Sequence, residues 1–445
     1  FSLADRERMQ QDAERSFARL TRRFERRGTA GFEAAFDGEL SGRLGIRLVE
    51  RDSQQKEQLM WSSLRVESGA DVRVSIDTGL QDVAEAVVGA ARERALLEHG
   101  DIPQREAELV QAALAVIDAQ SGDVLAFAGA PSAGRTARTL PGLTWQGNGA
   151  LGSVVKPFVL IEQLLCETDG RGHRALADLE ACSGRSRGFR YGGRTLSCDS
   201  DHWEEGRDPV AALAKSCNMF FYQVGIGLQR DGLMRAYQRF GLEPAPAGSE
   251  FAACWQARVS GIPWASPRVR HAEPLPTSAI GYGVEASPLA VARAYAGLAT
   301  GRLPTLGVLA GESRPSVVLA GIDAELALVR RGLSDCVQRG TAKRIEALAR
   351  FQVYGKTGTA EVGTVEQENN AWFAGFLPWT AQGGTQLAFC AVVYWVPNGE
   401  HGADAAGTVV GELLERLDAD PELQHRYITP AGAGVGNGNE PRGGR

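Results

Sequence analysis

Two apolar runs near residue 120 and three strand-like runs beyond residue 350 set the tightest limit on how this chain can fold. Residues 112–118 and Val124–Ala130 flank Gln120-Ser-Gly-Asp123, a turn pattern that signals a hairpin. Residues 354–362, 370–377 and Leu387–Val396 read as three further strands. The chain between the two groups has helical period and is rich in Ala, over 153–167, 210–229, Pro288–Thr300 and 324–339. The pattern predicts an α/β (more closely α+β) protein in which distant parts of the chain close one antiparallel five-stranded sheet. Helices flank that sheet, and the long middle stretch forms a mainly helical subdomain.

Upstream, residues 1–27 read as a charged helix, and residues 28–69 as a small connecting module with short strands such as Gly45-Ile-Arg-Leu-Val49. Val72-Arg-Val-Ser-Ile76 alternates like a strand, and residues 80–99 carry apolar side chains at helical spacing. Past Pro430 only Gly, Ala, Asn and Pro dominate, which predicts a disordered tail. The expected division is 1–70 for the N-terminal helix and linker, 71–428 for the main domain and 429–445 for the tail.

Composition excludes some classes. At 445 residues and 43% hydrophobic the chain has ample material for a core. Its net charge of −6 offers no basic surface for nucleic acid. No apolar run approaches the roughly 20 residues that span a bilayer. The first residue is Phe, so a signal or anchor upstream is expected to have been removed.

Of 48 basic residues only five are Lys, at positions 56, 156, 215, 343 and 356. A lysine can give up its proton in a desolvated site and arginine cannot, so these positions are candidates for chemistry. Ser153-Val-Val-Lys156 opens a helix-like segment after a Gly-rich stretch. Residues three apart share a helix face, so the amine can serve the hydroxyl as a base. Burial and the positive helix end favour the neutral amine, and the same helix start offers N–H groups to an oxyanion. Lys356-Thr-Gly-Thr359 lies on a strand whose Gly358 marks the close approach of another group, expected to be a ligand lying along the edge. Its hydroxyls and ammonium suit a carboxylate. Lys215-Ser-Cys-Asn218 precedes an apolar helix and places Ser216 and Asn218 in a turn or cap.

The order S-x-x-K, S-x-N, K-T-G resembles the penicillin-binding proteins and serine β-lactamases. Further likenesses to transpeptidase domains are Val74-Ser-Ile-Asp-Thr-Gly-Leu-Gln81, the hairpin at 118–131, Ile280-Gly-Tyr-Gly283, Ser287-Pro288-Leu289, Gly340-Thr341-Ala342 and Ala371-Trp-Phe-Ala-Gly375. They cover residues 70–420. Upstream, the stretch from Ala30-Gly-Phe-Glu33 to Leu40-Ser-Gly-Arg-Leu-Gly45 is similar to the linker of class B, monofunctional members, and the elongation type fits. The resemblance implies the penicillin-binding transpeptidase fold and D-Ala-D-Ala transpeptidation of peptidoglycan stem peptides through an acyl-enzyme on Ser153, inhibited by β-lactams. It assigns Lys156 as base, Ser216 and Asn218 to proton relay and substrate holding, and Lys356, Thr357, Gly358 and Thr359 to the terminal carboxylate and the oxyanion hole. It also implies an extracytoplasmic, periplasmic location with an N-terminal anchor, and membrane cell-wall partners including a polymerising glycosyltransferase. The competing readings are a serine β-lactamase, for which no Glu-x-x-Leu-Asn segment is found, and a β-lactam sensor or non-catalytic scaffold.

Seven cysteines cannot all pair within one chain. Cys182 and Cys198 admit a disulfide, free thiols, or a zinc cluster with His202, Asp199 or Asp201 and Cys217. Some elongation-type class B enzymes carry a similar insertion, a few with zinc near the active site. No cofactor is required by the serine chemistry. The other five His, at 99, 173, 271, 401 and 425, have no motif partner.

Overall fold

The computed structural model describes residues 7–8, 11–12, 15, 28–29, 31–43, 46–51, 53–63, 66–130, 144, 149–171, 174–182, 184, 188–199, 202, 208–244, 258–259, 262–263, 266–361, 369–378, 385–397 and 402–428. It forms two units, Phe1–Val74 with Ser260–Pro263, and Ser75–Val259 with Trp264–Arg445. In the first, residues 7–8, 11–12 and 15 are helical. Strands β1 (Ile46–Arg51) and β2 (Glu57–Ser63) pair antiparallel with a bulge after Leu48. The expected strand over residues 72–76 does not form, and Val74 makes only a lone bridge. The predicted tail at 429–445 lies outside the described residues.

The second unit is built on one sheet. β3 (Gln111–Asp118) and β4 (Val124–Ala130) form the expected hairpin. β5 (Gly149–Ala150) lies apart, in a small three-stranded sheet. β6 (Tyr354–Glu361), β7 (Asn369–Phe376) and β8 (Leu387–Val396) complete the main sheet in the order β6-β7-β8-β3-β4, with every neighbouring pair antiparallel. A late strand, β8, therefore lies between β7 and the early hairpin.

Both faces of the sheet are covered, and its central strands are accordingly continuous apolar runs rather than alternating ones. Leu114, Val116, Phe389, Ala391 and Val393 join one core with Val87 and Val88 of helix α1 (Thr78–His99). Ala113, Ala115, Cys390 and Val392 are buried on the other side, where the helix over Pro288–Thr300 packs on β8 and β3. Between the hairpin and the late strands run α2 (Lys156–Thr168), α3 (Pro209–Ala214), α4 (Asn218–Arg239), α5 (Pro288–Thr300) and α6 (Asp323–Gln338). Helices α7 (Thr408–Ala419) and α8 (Pro421–Tyr427) follow the sheet, and α7 supplies Val409, Val410, Leu413 and Leu414 to the core shared with α1.

The Ser75-to-Gln81 segment pins α1 to the hairpin. Ser75 Oγ donates to Val124 O at 2.7 Å, and the Gln81 amide exchanges two hydrogen bonds of 2.9 Å with the Phe127 backbone. Asp77 caps α1 by accepting from Leu80 N–H at 3.0 Å, accepts from Tyr427 Oη at 2.8 Å, and pairs with Arg426. One carboxylate thus joins the first helix of this unit to its last. Asp77→Ala is expected to lower stability by about 2 kcal/mol, from a lost cap plus charged hydrogen bonds. Denaturant unfolding measures this, and Asp77→Asn should recover part of the loss.

Candidate active site

Helix α3 ends in a turn that explains the middle motif. Ser216 N–H donates to Leu213 O at 3.2 Å and Cys217 N–H to Ala212 O at 2.8 Å, the two bonds of a Schellman motif, whose C′ residue takes left-handed φ. That residue is Ser216, with φ of 58°. Glycine is the usual occupant, and a serine there costs on the order of 1 kcal/mol. Cys217 then caps α4, its Sγ accepting from Phe220 N–H at 3.4 Å. The single helix expected over 210–229 is therefore two, broken at the motif because one helix is C-capped where the next is N-capped. α4 itself kinks at Gln229, where φ is 58° and ψ −176°.

The amine of Lys156 comes into this turn. It lies 2.7 Å from Ser216 O, 3.1 Å from Ser216 Oγ and 2.6 Å from Asn218 Oδ1, and 5.3 Å from the centroid of the Phe221 ring. Asp199 Oδ2 accepts from Asn218 Nδ2 at 3.2 Å, which turns the amide oxygen of Asn218 toward the lysine. Lys156 is fully buried, and burial first, then the charge of Lys356, lowers its pKa to about 7. In the neutral form it has two protons for the two carbonyl oxygens and a lone pair for the hydroxyl of Ser216.

Ser153 lies in a 3-10 turn, Gly152–Val155, whose end is closed by Lys156 N–H donating to Ser153 O. Among the described residues no hydrogen bond joins Lys156 Nζ to Ser153 Oγ. The amine leaves from the turn that bears Ser153, as the i, i+3 spacing predicts, but the three acceptors of the S-x-N turn hold it. Two glycines seat the turn. Gly152 has φ of 57°, and a Cβ on it would stand 2.3 Å from Thr359 O; a Cβ on Gly358 would stand 2.8 Å from both Leu151 O and Val154 Cγ1. The close approach expected at Gly358 is thus made by the segment bearing Ser153. Trp372 Nε1 donates to Ala150 O at 2.8 Å, and Tyr295 Oη to Val154 O at 2.9 Å, gripping that segment on either side of the serine.

Lys356 is also fully buried, its pKa lowered to about 8 by burial. Its Nζ donates to Thr357 O at 3.0 Å. That is its single acceptor among the described residues, so two protons remain for an anion. Thr359 Oγ1 accepts from Gly402 N–H at 3.1 Å, leaving its own proton to give. Thr357 Oγ1 lies 2.6 Å from Thr341 Oγ1. Lys215, by contrast, donates to Arg339 O at 3.3 Å and does not join the lysine pair.

Beside Asn218, the side chains of Cys182, Cys198, His202 and Cys217 bring their ligand atoms within 4.8 Å of one another. Cys198 Sγ and His202 Nε2 are 3.3 Å apart. Each sulfur receives a backbone N–H: Gly184 to Cys182 at 3.4 Å, Asn218 to Cys198 at 3.3 Å and Phe220 to Cys217 at 3.4 Å. Contact with the Cys217 thiol lowers the pKa of Cys182 to about 7 and that of Cys198 further, while Cys217 as donor is pushed up. Three thiols and an imidazole form the Cys3His set that suits tetrahedral zinc. Asp199 is not in this group, because its carboxylate is turned to Asn218. Cys182 and Cys198 are unpaired thiols here, as are Cys166, Cys336 and Cys390.

Residues 186–415 match the family described as the penicillin binding protein transpeptidase domain. The chain belongs to that family. The matched span holds the S-x-N turn and the K-T-G strand, and begins downstream of Ser153. A peptidoglycan D,D-transpeptidase, PbpA of Mycobacterium tuberculosis (strain CDC 1551 / Oshkosh), is 29% identical over 237 residues, 49% of this chain and 45% of that protein. This chain therefore spans less than half of that curated relative. Among solved structures, one from work on a peptidoglycan synthase complex coordinating polymerization and crosslinking superposes with a TM-score of 0.69 at 23% identity, covering 87% of this chain and 70% of that one. Pseudomonas aeruginosa PBP2 in complex with WCK 5153 does so with 0.62 at 20%, covering 92% and 87%. Helicobacter pylori PBP2 in complex with MreC does so with 0.66 at 18%, covering 88% and 72%. At these identities the likeness establishes the fold, and it is the transpeptidase fold with its five-stranded antiparallel sheet.

Tyr295, Gly402 and the role of Asp199 toward Asn218 escape a reading of the sequence, since nothing in their spacing links them to the motifs. Ser216→Gly is expected to raise stability by about 1 kcal/mol by relieving the left-handed serine, measured by denaturant unfolding, while removing the hydroxyl that faces Lys156.

Proposed function

We propose that the chain is the catalytic part of a class B, elongation-type peptidoglycan D,D-transpeptidase. The observation that carries this reading is the buried Lys156 amine, with a pKa near 7, held against the Ser216 hydroxyl one turn from Ser153. Ser153 Oγ attacks the carbonyl between the two terminal D-Ala residues of a stem peptide. Its proton passes to neutral Lys156, directly or through Ser216. The C–N bond breaks, the proton passes on to the departing D-Ala amine, and Ser153 is left as an ester. An amine of a neighbouring stem then attacks the ester, forms the cross-link and returns the proton to Ser153. Lys356, Thr357 and Thr359 bind the terminal carboxylate, and the backbone N–H groups of Ser153 and Thr359 receive the oxyanion. A β-lactam enters by the same attack and stays attached.

A transpeptidase of this kind works on the outer side of the inner membrane beside a polymerising glycosyltransferase. The solved relatives point the same way, since one comes from a peptidoglycan synthase complex and another is bound to MreC. No helix among the described residues is long and apolar enough to cross a membrane. Zinc, where bound, is held by Cys182, Cys198, His202 and Cys217 and supplies a structural clamp under the S-x-N turn.

Intact-mass analysis with a penicillin should show one stable adduct, absent in Ser153→Ala. Rapid drug turnover would mean a β-lactamase, and no adduct would mean a scaffold. The acylation rate should rise as Lys156 loses its proton through about pH 7 and fall as Lys356 loses its charge above about pH 8, giving a bell in stopped-flow pH profiles. Metal analysis should find about one zinc per chain, lost in Cys198→Ser.

A further inference from the structure

The turn after α6 links two of the motifs. A Cβ on Gly340 would stand 2.2 Å from Ala214 O, so only glycine lets this turn lie against the end of α3. Thr341 N–H donates to the same Ala214 O at 3.2 Å, one helical residue before the Lys215-Ser216 turn. The Thr341 hydroxyl points the other way, 2.6 Å from Thr357 Oγ1 in the K-T-G strand and 3.2 Å from Cys336 Sγ. Cys336 is fully buried and Thr357 nearly so.

The three groups form a line, and a bound carboxylate gives it a direction, because a carboxylate takes only donors. With the Thr357 proton given to the anion, Thr341 donates to Thr357 and the Cys336 thiol is left to donate to Thr341 Oγ1. Thr357 has no other hydrogen-bond partner for its hydroxyl among the described residues. Beside it stands Lys356, with two protons unspent.

We propose that Thr341 is a positioning residue for the substrate carboxylate: its hydroxyl occupies the acceptor side of Thr357 and thereby aims the Thr357 proton at the anion bound by Lys356, while its backbone ties that subsite to the S-x-N turn. The inference rests on the transpeptidase reading of the cleft and deepens it. Thr341 touches no reacting atom. It makes a hydroxyl that could otherwise accept or donate into a committed donor, and a carboxylate takes only donors.

The test compares acylation of Ser153 by a penicillin bearing its free carboxylate with acylation by the methyl ester of the same drug, followed by mass spectrometry. T341V should slow the acid about tenfold or more, the worth of a hydrogen bond to a charged group, and leave the ester within about twofold of the parent rate. T341S, which keeps the hydroxyl, should match the parent with both. Equal slowing of acid and ester by T341V, or no slowing of the acid, would overturn the inference while leaving the transpeptidase reading in place. Failure of the parent protein to form any Ser153 adduct would overturn that reading and the inference together. Should T341V not fold, C336A answers the same question: selective slowing of the acid supports the line of donors, and an unchanged acid-to-ester ratio overturns it.

Discussion

A lysine amine sealed from water is the constraint around which the cleft is arranged. Burying an ammonium is costly, and the chain meets the cost in two ways. It brings the pKa down to about 7, so that the neutral form is at hand, and it provides three oxygens for the amine from a single turn. That turn must present a carbonyl, a hydroxyl and an amide oxygen together. The left-handed Ser216 makes this geometry, at a backbone cost that the Schellman bonds and the cap at Cys217 offset.

The rest of the site follows from holding that turn against two other segments. Gly152 and Gly358 remove the side chains that would separate the Ser153 turn from β6, and Gly340 does the same between the α6 turn and α3. The Cys/His group sits under Asn218, whose backbone N–H reaches Cys198 Sγ while its side chain reaches Lys156. The Cys/His group and the S-x-N turn are therefore one piece of structure, and what binds the sulfurs bears directly on the geometry of the amine.

Much of this was legible beforehand. Four of the five strands could be read because both sheet faces are buried, so each is a mostly apolar run with hairpin or loop signals at its ends, whereas β6 carries Lys356, Thr357 and Thr359 and was read as the strand bearing a motif. The three motifs could be read because lysine is rare in this chain and each motif couples a polar group to an apolar segment. The break between α3 and α4 was only half legible: Ser216 and Asn218 read as a turn or cap, yet Ala, Val, Leu and Phe run on with helical period on both sides of them. Nor was the direction of the Lys156 side chain. Spacing places it on the same face as Ser153, but the acceptors that claim it come from residues some sixty positions away. The contact of Asp199 with Asn218 was hidden for the same reason, since its place beside Cys198 in sequence says nothing of the amide it meets in space.

By itself, the sequence determined which groups are available for chemistry and which strands must pair, because burial periodicity and residue type are local properties. Tertiary structure alone decided which hydroxyl the amine meets, which glycines are indispensable, and that a turn after α6 bridges two motifs. These are contacts between segments far apart along the chain. Their distances are set by packing of the sheet and helices, which no local pattern encodes.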